Sequence, residues 1–454
     1  MSRFAYEGAP IKDVVRSRAL LADRRFLSLW LSQGIGQTAQ NALLFSLLVV
    51  VLNITNSSIH TSILVFCFIL PSIPLGFLVG VILDRVDKEP VLVITNLLRA
   101  AGCILFFFFH TDEWVIYGIA IAVATAGLFF SPAVVSLIPA IVSKDKLVPA
   151  NSLYNFTLTG SQLLGIVFVA PILLKSLGPD GMFLTAAGMF IIAAGFAARV
   201  NVWKEKRVPD ASEAAKLGGF QAEFRESFRV LVRDRASVVA LTQLILSSTL
   251  VLLFAILIPR YMRDVLEVPA DSAAFVFAPT GIGALIGLRF LSWFTRFGKN
   301  RTVVIGLTGI AVCLVLLALV QPIENVWSRG PDQLDPAEIL RISALQALVM
   351  AFAAPMGFFY ALLNSPAQTV LHERAPPEMR GRIFATQVVS ANFISLIPLL
   401  LVGAITDVLD ISIVLILLAA LVGAFAFVSE TVGRQEERKD REAAEEHERE
   451  RVHS

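Results

Sequence analysis

Charged side chains are almost wholly confined to short gaps between twelve long apolar stretches. Residues 64–83 hold no Asp, Glu, Lys or Arg, and neither do residues 242–259. A charge at the centre of a bilayer costs about 2.5–3.5 kcal/mol on insertion scales. A chain surrounded by water gains nothing by clearing charge from twelve helix-length segments, whereas a chain surrounded by lipid must do so. Only 16% of residues are charged, against about 25% in soluble domains. Lipid offers no partner to a free backbone N–H or C=O, so spanning segments must be helices or a closed barrel. These runs are long and do not alternate, which excludes barrel strands.

A spanning helix needs about 20 mostly apolar residues. On that criterion the spans fall at 26–52, 58–83, 90–110, 114–142, 150–175, 181–202, 236–259, 272–295, 302–321, 339–370, 382–406 and 411–429. Pro90 and Pro269 sit where two of these helices begin, at positions where a missing N–H costs nothing. Lys and Arg set the orientation. They crowd the loops on one side, and the other side carries only Lys175, Arg260, Arg263, Arg329 and Arg341. Both termini are therefore expected on the cytoplasmic face of the cell (plasma) membrane.

The expected domain order is a cytoplasmic segment (1–25), a six-span half (26–202), a cytoplasmic middle loop (203–235), a second six-span half (236–430) and a charged cytoplasmic tail (431–454). Phe220, Phe224 and Phe228 recur every four residues and would give the middle loop an amphipathic helix. A solvated connector is the other reading. The tail from Arg434 is read as solvated. Cys67, Cys103 and Cys313 lie inside apolar segments with no linking motif, so they are small buried side chains rather than metal or disulfide partners. No removable leader is expected, because the first 25 residues are charged and the first apolar run is long.

The two halves echo each other. Gly76-Phe-Leu-Val-Gly80 in span 2 matches Gly283-Ala-Leu-Ile-Gly287 in span 8, and Ser131-Pro132-Ala133 in span 4 matches Ser365-Pro366-Ala367 in span 10. Two-half symmetry of this kind marks transporter folds.

Between spans 2 and 3 lies Gly80-Val-Ile-Leu-Asp84-Arg85-Val-Asp87-Lys88. It resembles the signature of the major facilitator superfamily: a glycine, three residues, an aspartate, then basic residues around a tight turn. Here Asp87 replaces the turn glycine, and Glu89-Pro90 follows where a second basic residue is usual. Asn364-Ser-Pro-Ala-Gln368, Glu373-Arg-Ala-Pro376 and Arg380-Gly381-Arg382 resemble the linker between spans 10 and 11 of bacterial macrolide-efflux and siderophore-export proteins; Asn151 and Arg99 also fit that branch. The resemblance implies an all-α membrane fold of two pseudo-symmetric six-helix bundles. It also implies alternating access, and most directly an exporter of a small amphipathic molecule. Gly80, Asp84, Arg85 and Lys88 would then form a gate opposite Arg380, Gly381 and Arg382. A carboxylate there can accept from a helix N-terminus or pair with Arg382, in one state and not the other.

Spans 1, 4, 7 and 10 surround the cavity in that family. Gln33, Gln37 and Asn41 lie on one face of span 1, with Gln40 beside them; Gln243 and Ser247 in span 7 and Gln346 in span 10 could join them. Amides are costly against lipid and face protein or water instead. Interhelical hydrogen bonding is the alternative role for each. The 33 phenylalanines mostly face lipid or neighbouring helices. No Asp or Glu falls in the middle of any expected span. The proton coupling implied by the resemblance would therefore run through Asp84 or Arg99 rather than a buried carboxylate.

No cofactor, metal or nucleic-acid partner is expected, and no enzymatic activity. His372-Glu373 lacks the second His of a zinc protease helix, and Gly298-Lys299-Asn300 lacks the rest of a phosphate loop. The expected partners are a small-molecule substrate and the lipid bilayer, with protons as a candidate coupling ion and a monomeric chain. A uniporter or importer on the same fold, or a transport-incompetent scaffold or sensor signalling through its tail, remains open at this point.

Overall fold

The computed structural model of the chain describes residues 20–143, 146–201, 228–229, 231–232, 234–269, 272–327, 343–374 and 380–431. The amphipathic stretch expected in the middle loop, Phe228 excepted, and the charged tail lie outside these residues. Among the described residues the secondary structure is helical, with no strand. In chain order the helices are α1 (Arg24–Thr55), α2 (Ser58–Ile69), α3 (Ser72–Arg85), α4 (Lys88–Phe109), α5 (Glu113–Ile141), α6 (Leu147–Leu163) and α7 (Ala170–Ala197). A π-helical stretch, Leu164–Val169, joins α6 to α7. Then follow α8 (Arg235–Asp264), α9 (Ala273–Phe294), α10 (Lys299–Ala318), α11 (Val320–Trp327), α12 (Ala344–Arg374) and α13 (Arg380–Val408). The last, α14, runs over Ile411–Thr431.

Among the described residues eleven helical stretches are long and apolar enough to cross a membrane, one fewer than the sequence suggests. The difference lies in the stretch Pro149–Ala197, 49 residues long. A straight helix of that length would be about 73 Å, against a hydrocarbon core of about 30 Å. It is not straight: Gly178 has φ 68° and ψ −175°, a region that only glycine occupies at little cost. Pro179 follows, and a residue before proline is steered away from helical ψ. The segment Leu164–Val169 and α7 both pack along α1. The five-residue loop expected between spans 5 and 6 is thus compressed into one glycine, and the count returns to twelve. Gly178→Ala should lower the midpoint of thermal unfolding, since the strain is of order 1–3 kcal/mol. Gly181→Ala serves as a control against a general effect of lost glycines only in part, because a Cβ there would meet the Leu177 Cβ at 2.2 Å; Gly188→Ala, with open space around it, is the cleaner one.

A second departure is in span 2. The expected single helix breaks at Leu70–Pro71 into α2 and α3. Pro71 has no N–H to continue the ladder, and the chain reconnects through Ile73 N–H to Leu70 O at 3.2 Å and Leu75 N–H to Pro71 O at 3.1 Å. Elsewhere the ends move by a few residues. Pro90 lies in the first turn of α4, and part of the loop expected after span 9 forms the short helix α11.

Acidic residues at helix starts satisfy the free N–H groups of the first turn. Asp23 accepts from Arg25 N–H at 2.9 Å, Asp112 from Trp114 N–H at 2.9 Å, and Asp234 from Ser237 N–H at 3.1 Å. Charge excluded from the spans is placed where it caps them.

The chain divides into two compact units. One comprises residues 1–56 and 60–218, the other 57–59 and 219–454. The first is built around Phe26, Leu29, Leu92, Phe130, Val134 and Leu137, all buried. Many large apolar side chains are exposed, Trp114 at 70% and Phe156 at 71% among them. Faces this apolar suit contact with acyl chains rather than water.

The second unit contains a closer helix contact. A Cβ added to Gly283 of α9 would fall 1.8 Å from the carbonyl oxygen of Ala354, and one added to Gly357 of α12 would fall 1.8 Å from that of Thr280. The two helices meet backbone to backbone along Gly283, Ala284, Gly287, Ala354, Gly357 and Ala361. Small residues four apart permit such an approach, and dispersion and close packing rather than a hydrophobic effect hold it in lipid. The matching glycine of the first half, Gly76, has nothing within 4 Å of its would-be Cβ. Similar sequence at the two positions therefore supports different packing.

Candidate functional site

The gate motif falls at the joint between α3 and α4. Gly80, Asp84 and Arg85 belong to α3, and their side chains lie outside the described ones, as do those of Arg380, Gly381 and Arg382 at the start of α13. The backbone of the joint is described. Val86 is extended at φ −119°, ψ 155°, and Asp87 at φ −67°, ψ 126° is the N-cap residue of α4. Both lie at negative φ. This two-residue turn therefore needs no glycine, and Asp87 takes the place of the usual one without strain. Lys88 opens α4 and is half-buried.

On α1, Gln33 is 2% exposed, and its Nε2 has no hydrogen-bond partner. Gln37 and Asn41 are half-buried, and Asn41 Nδ2 donates to Gln37 O at 2.9 Å, back onto its own helix. Gln40 Oε1 is buried and unpartnered. The π-helical turn packs against this part of α1: a Cβ on Gly165 would meet Thr38 O at 2.6 Å and Asn41 Cβ at 2.8 Å. Around them Trp30 Nε1 donates to Thr157 Oγ1 at 2.5 Å, Ser32 Oγ to Ala193 O at 2.8 Å, and Ser161 Oγ to Gly34 O at 3.1 Å. Hydroxyls thus find carbonyls on neighbouring helices, while two of the amides of α1 keep unused capacity.

In the second unit the expected residues of span 7 join partners that sequence spacing could not reveal. Gln243 Nε2 donates to Asn300 Oδ1 of α10 at 3.1 Å, and Asn300 Nδ2 donates to Ser429 O of α14 at 3.1 Å. Ser247 Oγ donates to Asn364 Oδ1 of α12 at 3.2 Å. Thr249 and Ser395 of α13 share a hydrogen bond of 2.6 Å. Gln243, Ser247, Thr249 and Ser395 are all buried. Gln243 and Ser247, four residues apart, therefore share one face of α8 and tie it to α10 and α12, while Thr249, about 200° round the helix from Ser247, ties the opposite face to α13.

Gln346 lies in the first turn of α12. Ser343 Oγ accepts from Gln346 N–H at 3.2 Å, and Gln346 Oε1 accepts from Ser343 N–H at 3.2 Å. This reciprocal capping box satisfies donors at the start of α12, so Gln346 sits at a helix terminus and is engaged there.

The second unit also holds Asp407, near the end of α13. It accepts from Ser57 Oγ, from Ser58 N–H at 2.5 Å and from Ile59 N–H at 3.1 Å, and pairs with Arg260 Nη1 at 3.4 Å. Arg260 in turn pairs with Asp264. A carboxylate at the N-terminus of α2 meets both the free N–H groups and the positive end of the helix dipole.

Arg99, expected mid-helix, lies in α4 inside the first unit and is 2% exposed. Nη2 donates to Gly127 O at 3.1 Å, and the guanidinium lies 4.7 Å from the Phe130 ring centre and 5.6 Å from that of Phe190. Among the described residues no three His, Cys, Asp or Glu side chains gather in a way that could hold a metal ion.

The family model of the Major Facilitator Superfamily matches residues 29–330, about two thirds of the sequence. The chain belongs to that superfamily, and its class is therefore that of a membrane transporter. Its fold is similar to that of the POT family transporter PepTSo (14% identity, TM-score 0.68, covering 91% of this chain and 98% of that one). It is similar also to the nucleoside transporter NupG (12% identity, TM-score 0.67, 89% and 98%) and to an auto-inhibited POT family peptide transporter (14% identity, TM-score 0.65, 90% and 97%). A comparison with curated proteins gives no significant match.

Proposed function

We propose that this chain is a secondary active transporter that works by alternating access and exports a small amphipathic molecule of the drug, macrolide or siderophore kind. The observation that carries the reading is the hydrogen bond from Ser247 to Asn364. Asn364 opens the segment that resembles the macrolide-efflux and siderophore-export linker, and Ser247 is one of the residues expected to face substrate. The segment that carries this resemblance thus reaches Ser247 of α8, where a change in one can be felt by the other.

In this reading the half-buried amide of Gln37 and the unsatisfied amides of Gln33 and Gln40 bind polar groups of the substrate, and Gln243 and Ser247 are further substrate-binding candidates. Apolar bulk is met by phenylalanine side chains of spans 4 and 10. Asp84, with Arg85 and Lys88, gates the cytoplasmic side against Arg380, Gly381 and Arg382. The chain sits in the plasma membrane as a monomer with both termini in the cytoplasm, and the proton is the coupling ion to test first.

Two measurements test this. A panel of amphipathic compounds is assayed in proteoliposomes with and without an imposed proton gradient. Gradient-driven efflux of at least one compound is expected; equilibration indifferent to the gradient would favour a uniporter. Separately, Gln37→Cys should react with water-soluble thiol reagents, and added substrate should protect it. Reaction only with lipid-soluble reagents would remove Gln37 from the site.

A further inference from the structure

Arg289 is a charge set inside an apolar stretch of membrane length. That stretch, Phe275–Phe297, runs for 23 residues, and Arg289 stands about 12 Å from its far end. Charged side chains at such depth are mostly turned into the protein and paired there. Arg289 is instead exposed, and among the described residues it has no ion pair. Arg296, in the short turn Thr295–Phe297 that ends the same stretch, is likewise exposed and without an ion pair among those residues. The glycine contact explains why. A Cβ on Gly287 would meet Phe358 O of α12 at 2.6 Å, and Arg289 lies about 160° round the helix from Gly287. Arg289 is therefore on the side of α9 turned away from α12. Ile282, Ile286 and Trp293 share that side and are exposed as well. Arg296 follows Arg289 by two turns and returns to it.

Two guanidinium groups on an apolar face suit an anion that brings apolar surface of its own. Tryptophan settles where acyl chains give way to headgroups. Trp293 stands one turn after Arg289 and one before Arg296, with its ring edge-on to that of Phe297 at 5.5 Å. Side chains on a helix leave it tilted toward the N-terminus. Arg296 is thus started back toward the level of Trp293, and Arg289 reaches the same level by extending its long stem along the helix. A phosphodiester beside the indole lies between them. Its oxygens can accept from the planar forks of both arginines, while its acyl chains cover Ile286 and Ile282. Lys299, at the start of α10, is paired with Glu373 and takes no part.

We propose that Arg289, Trp293 and Arg296 form a binding site for the phosphate of an anionic phospholipid on the side of α9 turned away from α12. Two cations favour a headgroup with a net negative charge, such as phosphatidylglycerol. In phosphatidylcholine the lipid's own ammonium group competes with the guanidinium groups for the phosphate. The site rests on the membrane setting of the chain and not on the identity or direction of the transported molecule.

The experiment is native mass spectrometry of the full-length protein in detergent, titrated with dioleoyl phosphatidylglycerol or dioleoyl phosphatidylcholine. The first phosphatidylglycerol is expected to bind at least about tenfold more tightly than the first phosphatidylcholine, from two cations acting together. The double variant Arg289→Gln, Arg296→Gln should reduce that preference to within about twofold. Lys175→Gln, which removes an exposed charge elsewhere, should keep it. Inorganic phosphate and glycerophosphoglycerol, the headgroup without its chains, should not displace the lipid. Equal binding of the two lipids by the wild type, or an undiminished preference in the double variant, would overturn the proposal. Displacement by either soluble phosphate would overturn it too, by assigning the arginines to a soluble anion. A dimer that forms without added lipid and is lost in the double variant would assign this side of α9 to a second copy of the chain instead.

Discussion

Gly357→Val is expected to prevent the protein from reaching a stable fold, the largest effect of any single substitution considered. The added Cβ would stand 1.8 Å from a backbone carbonyl of α9, and a backbone cannot rotate away as a side chain can. Overpacking commonly costs about 1–3 kcal/mol and sometimes more; here α9 and α12 must separate along their whole shared seam. Gly283→Val should behave the same way, from the other side of the contact. Gly76→Val should be tolerated, since nothing lies within 4 Å of its would-be Cβ. Yield of monodisperse protein in detergent and the thermal midpoint give the comparison. Equal behaviour of Gly76→Val and Gly357→Val would show that the seam does not govern stability.

Asp84→Asn is expected to insert and fold normally yet to lower turnover by at least about tenfold, a loss of roughly 1.4 kcal/mol in the rate-limiting step. The substitution keeps the size and removes the charge. A gate that works by binding a helix N-terminus or a basic side chain in one state should lose its bias between states. Initial rates in proteoliposomes, normalised to inserted protein, measure it. Wild-type turnover in Asp84→Asn would remove the aspartate from the gate. Asp87→Gly, which restores the usual turn residue where the backbone already has negative φ, should leave turnover unchanged.

The parts of this fold that were legible in the sequence are those imposed by lipid. Charge exclusion marks the spans, because each residue bears that cost alone. The shortfalls come from effects that depend on geometry. The segment 176–180 reads as a loop by its polarity, yet Gly178 and Pro179 make the reversal in a single residue. Pro71 lies within an apolar run and reads as tolerated, yet it divides the helix. Gln243 with Asn300, and Ser247 with Asn364, are pairs separated by 57 and 117 residues, and no local pattern connects them. Gln346 is the opposite case. Ser343-x-x-Gln346 before an apolar run is a capping signature visible in the sequence. Arg99 was legible as an oddity, a charge in mid-span. The phenyl rings and small residues that surround it come from three other parts of the chain.

The single-residue reversal at Gly178 bears on how the chain enters the membrane during synthesis. Two spans that share no hydrophilic loop offer the insertion machinery no pause between them. They should leave it as one hairpin, with Lys175 and Asp180 the only charges at the tip. Gly178 then sets the moment at which the first half can close around α1, since the segments on both sides of it pack along that helix. A glycosylation tag placed at the tip would find no loop to present it, whereas the same tag in a longer connection would be modified. Insertion of the first half is in this sense a step taken by pairs of helices.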